Sequence, residues 1–254
     1  MGHLARSTAL ASALSERGVE PICLGFGAEA LRKLDGVRWE PIGEPVTTAG
    51  LLVLDSYSDH RDEFGADAAF YDGGEPPAGA RLLIGGLDQA CLRRPYWEPP
   101  SRPPGDEVRR VLVSAGAATS AAPLAEAVAG ALPDTAVRMT GTDAPAGVEA
   151  IGAPSTLREE LEACDLAVTA GGQSMLEALA TGRPVVAVVI AENQRAQAAA
   201  VAEVAVVTDE VGEAVAALAA DRPRRLELAR RGREAVDGQG AHRVAAELLG
   251  LAAP

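Results

Sequence analysis

The stretch Asp165-Leu166-Ala167-Val168-Thr169-Ala170-Gly171-Gly172-Gln173-Ser174-Met175-Leu176-Glu177 decides how the chain is read. Asp165–Thr169 is a short apolar run of strand length, and a helix begins after the two glycines. Gly171 and Gly172 let the backbone approach a ligand closely. The first N–H groups of the helix then point at an anion such as a diphosphate. Glu177 lies about one turn into the helix, where a carboxylate can take both hydroxyls of a ribose. The same residues carry a purely structural alternative, because Ser174-x-x-Glu177 also has the spacing of a capping box. The stretch is neither a phosphate-binding loop ending in Gly-Lys-Ser/Thr nor a full GxGxxG fingerprint.

Outward from this stretch, apolar runs alternate with helical patterns. Downstream come a strand at Pro184–Ile190, a helix from Asn193, a strand near Val204–Val207 and helices to the end. Upstream, Arg110–Ser114 reads as a buried strand. It is followed by a helix near Ala121–Leu132, strands near Ala136–Thr140 and Val148–Ile151, and a helix near Thr156–Ala163. The first part of the chain alternates too. A helix at Leu4–Arg17 ends at Gly18, a strand at Pro21–Gly25 precedes a short helix at Ala28–Leu34, and strands follow at Leu51–Asp55, Ala68–Asp72 and Arg81–Ile84. Such alternation predicts an α/β protein with parallel sheets covered on both faces. Between the halves, Glu98–Asp106 carries Pro99, Pro100, Pro103 and Pro104, which suit neither a helix nor a central strand. The expected organisation is an N-terminal Rossmann-like lobe (1–97), a Pro-rich linker (98–107) and a C-terminal Rossmann-like lobe (108–254), with a ligand cleft between the lobes. In open parallel sheets, function sits in the loops that follow the strands.

Composition narrows the function classes. The 254 residues carry a net charge of −13 and 48% hydrophobic residues, the profile of a globular chain. Acids outnumber bases and no basic stripe with interleaved aromatics is present, which argues against a general nucleic-acid partner. The longest apolar run, Val185–Ala191, falls short of the roughly 20 residues of a membrane span. Cys23, Cys91 and Cys164 are far apart, form no CxxC and suit core positions in a reducing cytoplasm.

Three further segments offer chemistry. Gly2-His3-Leu4-Ala5-Arg6 opens the first helix, and histidine as a residue type suits general-base work near neutral pH; the bland alternative is a loose terminal residue. Asp55-Ser56-Tyr57 closes a strand, where a carboxylate and a phenol can position a sugar or water, or where Asp55 simply forms a turn. Ala191-Glu192-Asn193-Gln194 follows another strand, with Asn193 as a ligand contact or a helix N-cap. His60 and His242 read as solvated side chains.

These segments, in this order, resemble the UDP-2,4-diacetamido-2,4,6-trideoxy-β-L-altropyranose hydrolases of pseudaminic acid biosynthesis. That family is similar in fold to the GT-B glycosyltransferases, including the peptidoglycan GlcNAc transferase. The likeness also takes in Arg81-Leu-Leu-Ile-Gly85 with Leu92-Arg93, and the ending Asp237-Gly238-Gln239-Gly240-Ala241-His242-Arg243-Val244. It implies a UDP-sugar as the small-molecule partner, with UDP on the C-terminal lobe and the sugar on the N-terminal one. Gly171, Gly172, Gln173 and Ser174 would lie at the diphosphate and Glu177 at the ribose. His3 matches the general base that activates water, and Tyr57 and Asn193 match residues facing the sugar or the water. Arg6, Asp55, Glu192 and Gln194 match substrate-side positions. C1–O cleavage would release UDP with no metal and no cofactor. A GT-B glycosyltransferase using the same UDP lobe, and a nucleotide-binding module without catalysis, are the alternatives. The chain departs from the family twice. The family has a strand and a Gly-rich turn ahead of its Gly-His-x-x-Arg, so the expectation is either that the start has been placed too late or that the N-terminal lobe lacks its first strand. Ser114-Ala115-Gly116-Ala117-Ala118 stands where the family tends to have Gly-Gly-x-Asp.

Overall fold

A computed structural model of the chain describes residues 2–25, 33–34, 36–41, 50–55, 65–71, 76–116 and 120–252. It divides into two compact units, Met1–Trp97 together with Gly238–Pro254, and Glu98–Asp237.

The first unit starts with helix α1 (Gly2–Ser15), whose Ala9, Leu10 and Ala13 are buried. The helix stops where Gly18 takes φ +79, and Val19 N–H returns to the Leu14 carbonyl. Strands β1 (Cys23–Gly25) and β3 (Val37–Pro41) pair in parallel, and β2 (Lys33–Leu34) pairs antiparallel with β3. Here the structure departs from expectation. Lys33 and Leu34, read as the end of a helix, form a strand, and β3 was not anticipated. The rest of that expected helix lies outside the described residues. β3 is a strand through its pairing with β1 and β2, and its alternation Val37-Arg38-Trp39-Glu40 turns Trp39 inward, where it is buried and donates its indole N–H to Thr8 Oγ1 of α1 at 3.2 Å. A second sheet, β4-β5-β6, is wholly parallel (Val53–Leu54, Ala68–Phe70, Leu82–Ile84). Among the described residues no strand joins the two sheets.

The second unit holds one parallel sheet of six strands: β7 (Arg110–Ser114), β8 (Ala136–Met139), β9 (Val148–Ala150), β10 (Leu166–Ala170), β11 (Val185–Val188) and β12 (Val206–Val207). Their spatial order is β9-β8-β7-β10-β11-β12, so the direction of winding reverses between β7 and β10. Alternate residues Val111, Val113, Val137, Met139, Leu166, Val168, Val186 and Val188 form one apolar face. Helices α2 (Ala122–Ala131) and α6 (Val211–Ala220) cover it, with Leu228 of α7 (Arg222–Ala235). On the way round, α3 (Arg158–Ala163) contacts β7, and α4 (Gln173–Ala180) contacts β10 and β11, while α5 (Arg195–Val201) follows β11. This is the doubly wound sheet that the alternating runs predict.

The Pro-rich segment is not a free linker. Asp165 accepts N–H groups from Gly105, Arg109 and Arg110 at 2.9–3.0 Å. Arg158 donates to the carbonyls of Glu98 (3.1 Å) and Pro99 (2.8 Å), and Glu162 accepts the Ser101 N–H at 3.1 Å. Two fully buried arginines complete the strap: Arg183 donates to the Arg102 and Cys164 carbonyls, and Arg225 to those of Asp106, Leu218 and Ala219. Proline supplies carbonyls but no N–H, so a Pro-rich strap suits a surface that offers donors.

The C-terminal boundary also moves. The last helix, α8 (Gly240–Ala252), belongs to the first unit, where Ala241, Val244, Ala245 and Leu248 pack with Ala9, Leu10, Phe70 and Ile84. The segment before it explains the glycines of Asp237-Gly238-Gln239-Gly240. Gly238 has φ +81, and a Cβ there would lie 2.1 Å from the Tyr96 carbonyl oxygen; at Gly240 it would lie 2.4 Å from the Ala90 oxygen. Gln239 donates to the Trp97 carbonyl at 2.7 Å, and Arg243 to that of Asp88 at 2.9 Å. His242, expected to be solvated, sits edge-on to Trp97 with ring centroids 4.3 Å apart and pairs with Glu16. Gly250, on the same helix, has open space around it. Gly240→Ala should therefore cost more than about 2 kcal/mol, because backbone must move, whereas Gly250→Ala should be neutral or stabilising by up to about 1 kcal/mol. Urea melts of the two variants check this contrast.

Candidate active site

Helical spacing builds the first cluster. His3, Arg6 and Ser7 stand at i, i+3 and i+4 of α1 and therefore share one face. All three meet Asp55, which directly follows β4. His3 Nδ1 contacts Asp55 Oδ1. Arg6 Nη2 donates to Oδ1 at 2.6 Å, and Arg6 Nε lies 3.0 Å from Oδ2. Ser7 Oγ donates to Oδ2 at 2.8 Å. The Arg6 guanidinium also lies 4.7 Å above the centre of the Phe70 ring. Only 9% of the Asp55 side chain is exposed, against 38% for His3. Burial opposes ionisation of Asp55, but the hydrogen bonds from His3 and Arg6 and their charges outweigh it and hold the carboxyl below its ordinary value. An ionised carboxylate only accepts, so Nδ1 carries the imidazole proton and the basic lone pair is on Nε2. The Cys91 thiol in the same unit is pushed up to about 12, chiefly by burial, and is no nucleophile at neutral pH.

The second cluster lies where the sheet of the second unit reverses direction. β7 and β10 are neighbours, and Ser114 pairs in register with Thr169. Ser114 Oγ lies 3.4 Å from Ser174 Oγ and 3.3 Å from Thr140 Oγ1, so hydroxyls from the ends of β7 and β8 and the first turn of α4 come together. The N-cap of α4 is Gly172, and no side chain caps the helix, which removes the capping-box reading of Ser174 and Glu177. The two glycines have different reasons. A Cβ on Gly171 would lie 3.3 Å from Cβ of Gln194 and 3.8 Å from that of Ala198, so this position serves packing. Among the described residues, a Cβ on Gly172 would meet nothing within 4 Å, so they leave the space beside the helix start open. Gly116 takes φ +82, so the turn after Ser114 places its glycine where left-handed backbone is needed. Ala117 and Ala118 lie outside the described residues.

The other expected site residues fare differently. Glu177 is buried one turn into α4. Glu192 and Gln194 belong to a 3-10 turn, Glu192–Gln194, with Asn193 at its middle, and α5 starts only at Arg195. Gln194 Oε1 accepts the Ile190 N–H at 3.1 Å, which folds the loop after β11 back on itself. Glu192 pairs with Arg195 at 2.7 Å on the surface. Tyr57, Ser56 and His60 lie outside the described residues. Ser7, Ser114 and Thr140 were missed as site residues. For Ser7 the signal was present, since it stands four residues after His3. Among the described residues no group of three or more His, Cys, Asp or Glu is arranged to hold a metal ion. None of the helices described is long and apolar enough to cross a membrane.

No protein-family model and no curated protein matches the sequence. Solved structures do match. The spinosyn forosaminyltransferase SpnP aligns at a TM-score of 0.50 with 18% identity, over 76% of this chain and 56% of that one. Anabaena Alr3699/HepE, solved with UDP and glucose, aligns at 0.50 with 16% identity over 73% and 64%. TarM aligns at 0.50 with 13% identity over 77% and 45%. The fold is that of the GT-B glycosyltransferases. This chain spans just over half the length of several of the glycosyltransferases it matches.

Asp55 links this geometry to acid stability. Its folded pKa is lowered, so its contribution is complete above the unfolded value of about 3.9 and is lost as pH falls through the folded value. Asp55→Asn should lower stability at pH 7 by about 1–3 kcal/mol. It should also flatten the loss of stability between about pH 5 and pH 2. Urea denaturation across that range provides the measurement; an unchanged slope would show that Asp55 is not held ionised.

Proposed function

We propose that the chain is a nucleotide-sugar-dependent glycosyltransferase in which His3 is the general base. The observation that carries this reading is the His3–Asp55 pair, which is built into a helix face and a strand end. The fold alone does not specify an activity, so the argument rests on the residues. His3 Nε2 takes the proton of an acceptor hydroxyl while Nδ1–H donates to Asp55. The acceptor oxygen attacks the anomeric carbon, the C1–O bond to the diphosphate breaks, and its electron pair leaves with the nucleoside diphosphate. One displacement inverts the anomeric configuration. The start of α4, with Gly172, Gln173 and Ser174, is the assigned place of the diphosphate, whose growing charge suits the positive end of a helix. Glu177 is the carboxylate assigned to the ribose, and Tyr57 and Asn193 are assigned to the sugar side.

A second reading has its own support. The ordered motifs Gly2-His3-x-x-Arg6, Ala191-Glu192-Asn193-Gln194 and Asp237–Val244 resemble those of the UDP-sugar hydrolases. In that reading the same base activates water. Acceptor dependence separates the two. UDP release from UDP-N-acetylglucosamine, UDP-glucose and UDP-2,4-diacetamido sugars should require a hydroxyl acceptor if the chain is a transferase. Release in water alone supports the hydrolase. Absence of both UDP binding by calorimetry and turnover of any donor overturns both readings.

Two variants sharpen the test. His3→Ala should reduce turnover about 10²–10⁴-fold while UDP still binds. Gly172→Leu fills the open space beside α4 and should weaken UDP binding at least tenfold with little change in melting temperature.

A further inference from the structure

We infer that Arg6 and Ser7 are positioning residues that hold the Asp55 carboxylate in the one orientation that keeps His3 in its Nδ1–H tautomer. This deepens the general-base reading above and rests on it only for the catalytic consequence. The resemblance placed Arg6 on the substrate side, but the geometry points elsewhere.

Arg6 turns its Nε and Nη2 edge to Asp55. Nη2 bonds Oδ1 at 2.6 Å, and Nε bridges Oδ1 and Oδ2 at 3.1 and 3.0 Å. Its guanidinium face is covered by Phe70, and 13% of its side chain is exposed. A guanidinium whose Nε and Nη2 edge is held by a carboxylate and whose face is covered is fixed as part of the site's frame. Ser7 completes the arrangement by donating to Oδ2. Each oxygen of Asp55 therefore has a charged and a neutral or tautomeric partner: Oδ1 holds Arg6 and His3, and Oδ2 holds Arg6 and Ser7. A carboxylate with one partner rotates about its terminal torsion, which is broad and roughly two-fold. The clamp removes that freedom and leaves one oxygen lone pair directed at His3 Nδ1. Among the described residues, the charged and titratable groups that act on Asp55 are His3 and Arg6 of α1, and the neutral thiol of Cys91 lies near enough to feel its charge. Spacing makes the clamp economical, since three positions on two successive turns of a single helix supply every donor named here.

The decisive measurement is the nitrogen-15 spectrum of His3 in the full chain, which distinguishes a protonated from a bare Nδ1. Wild type should show the Nδ1–H tautomer. Arg6→Met should shift the population toward Nε2–H, Ser7→Ala should do so more weakly, and Arg6→Lys should restore it in part. With UDP-N-acetylglucosamine as donor, Arg6→Met should lower kcat about 10–100-fold with KM and UDP affinity within about twofold of wild type. Melting temperatures identify any variant that fails to fold, in which case Ser7→Ala and Arg6→Lys carry the decision. An unchanged tautomer together with raised KM or weakened UDP binding would overturn the inference and return Arg6 to the substrate. If no donor is turned over, the tautomer still decides the clamp, while the loss of turnover counts against the transferase reading alone.

Discussion

A buried carboxylate must be given donors, and Asp55 takes those seen here from one face of α1. That requirement ties the helix to β4 and sets where His3 stands. Removing a charge from water is costly unless hydrogen bonds replace the lost hydration. Here an arginine, a serine and an imidazole replace it, and the carboxyl stays ionised despite burial. The pairing is thus structural and chemical at once. The charge that pins the helix is also the charge that fixes the imidazole proton on Nδ1.

The second unit meets the same constraint with the signs reversed. Arg183 and Arg225 are fully buried, and burial holds both below the usual arginine range. Their donors go to backbone carbonyls, including those of the Pro-rich strap. Asp165 collects the N–H groups that the strap and β7 present. The strap therefore folds as part of the sheet unit, with the carbonyls of Arg102 and Asp106 accepting from the two buried arginines. The result is a rigid frame for the strand ends. On that frame the reversal between β7 and β10 brings Ser114, Thr140 and Ser174 together at the start of α4.

How much of this was legible depends on the range of the interaction. The parallel sheet of the second unit was readable because each strand is an apolar run and each crossover a helical pattern. The strand-to-helix turn at Gly171–Gly172 was readable for the same reason. The distinct duties of its two glycines were not, since Gln194 and Ala198, which crowd Gly171, come from a later element. Strand β3 was missed although Val37-Arg38-Trp39-Glu40 alternates as a strand does; its tie to Thr8, 31 residues earlier, was not legible. The ending at Asp237–Val244 stood out as a motif, yet its glycines answer to Tyr96 and Ala90, far back in the chain.

By itself, the sequence determined the α/β class, the winding of the larger sheet and the candidate loops. Those follow from local periodicity and from the few residues that allow tight turns. Only tertiary structure decided that the Pro-rich segment is a bonded strap, that the last helix packs in the first unit, and that Arg6 serves Asp55. Each of these is an exchange of hydrogen bonds or van der Waals space between residues distant in the chain. A one-dimensional pattern carries the donors and the glycines, but their partners exist only once the chain has folded.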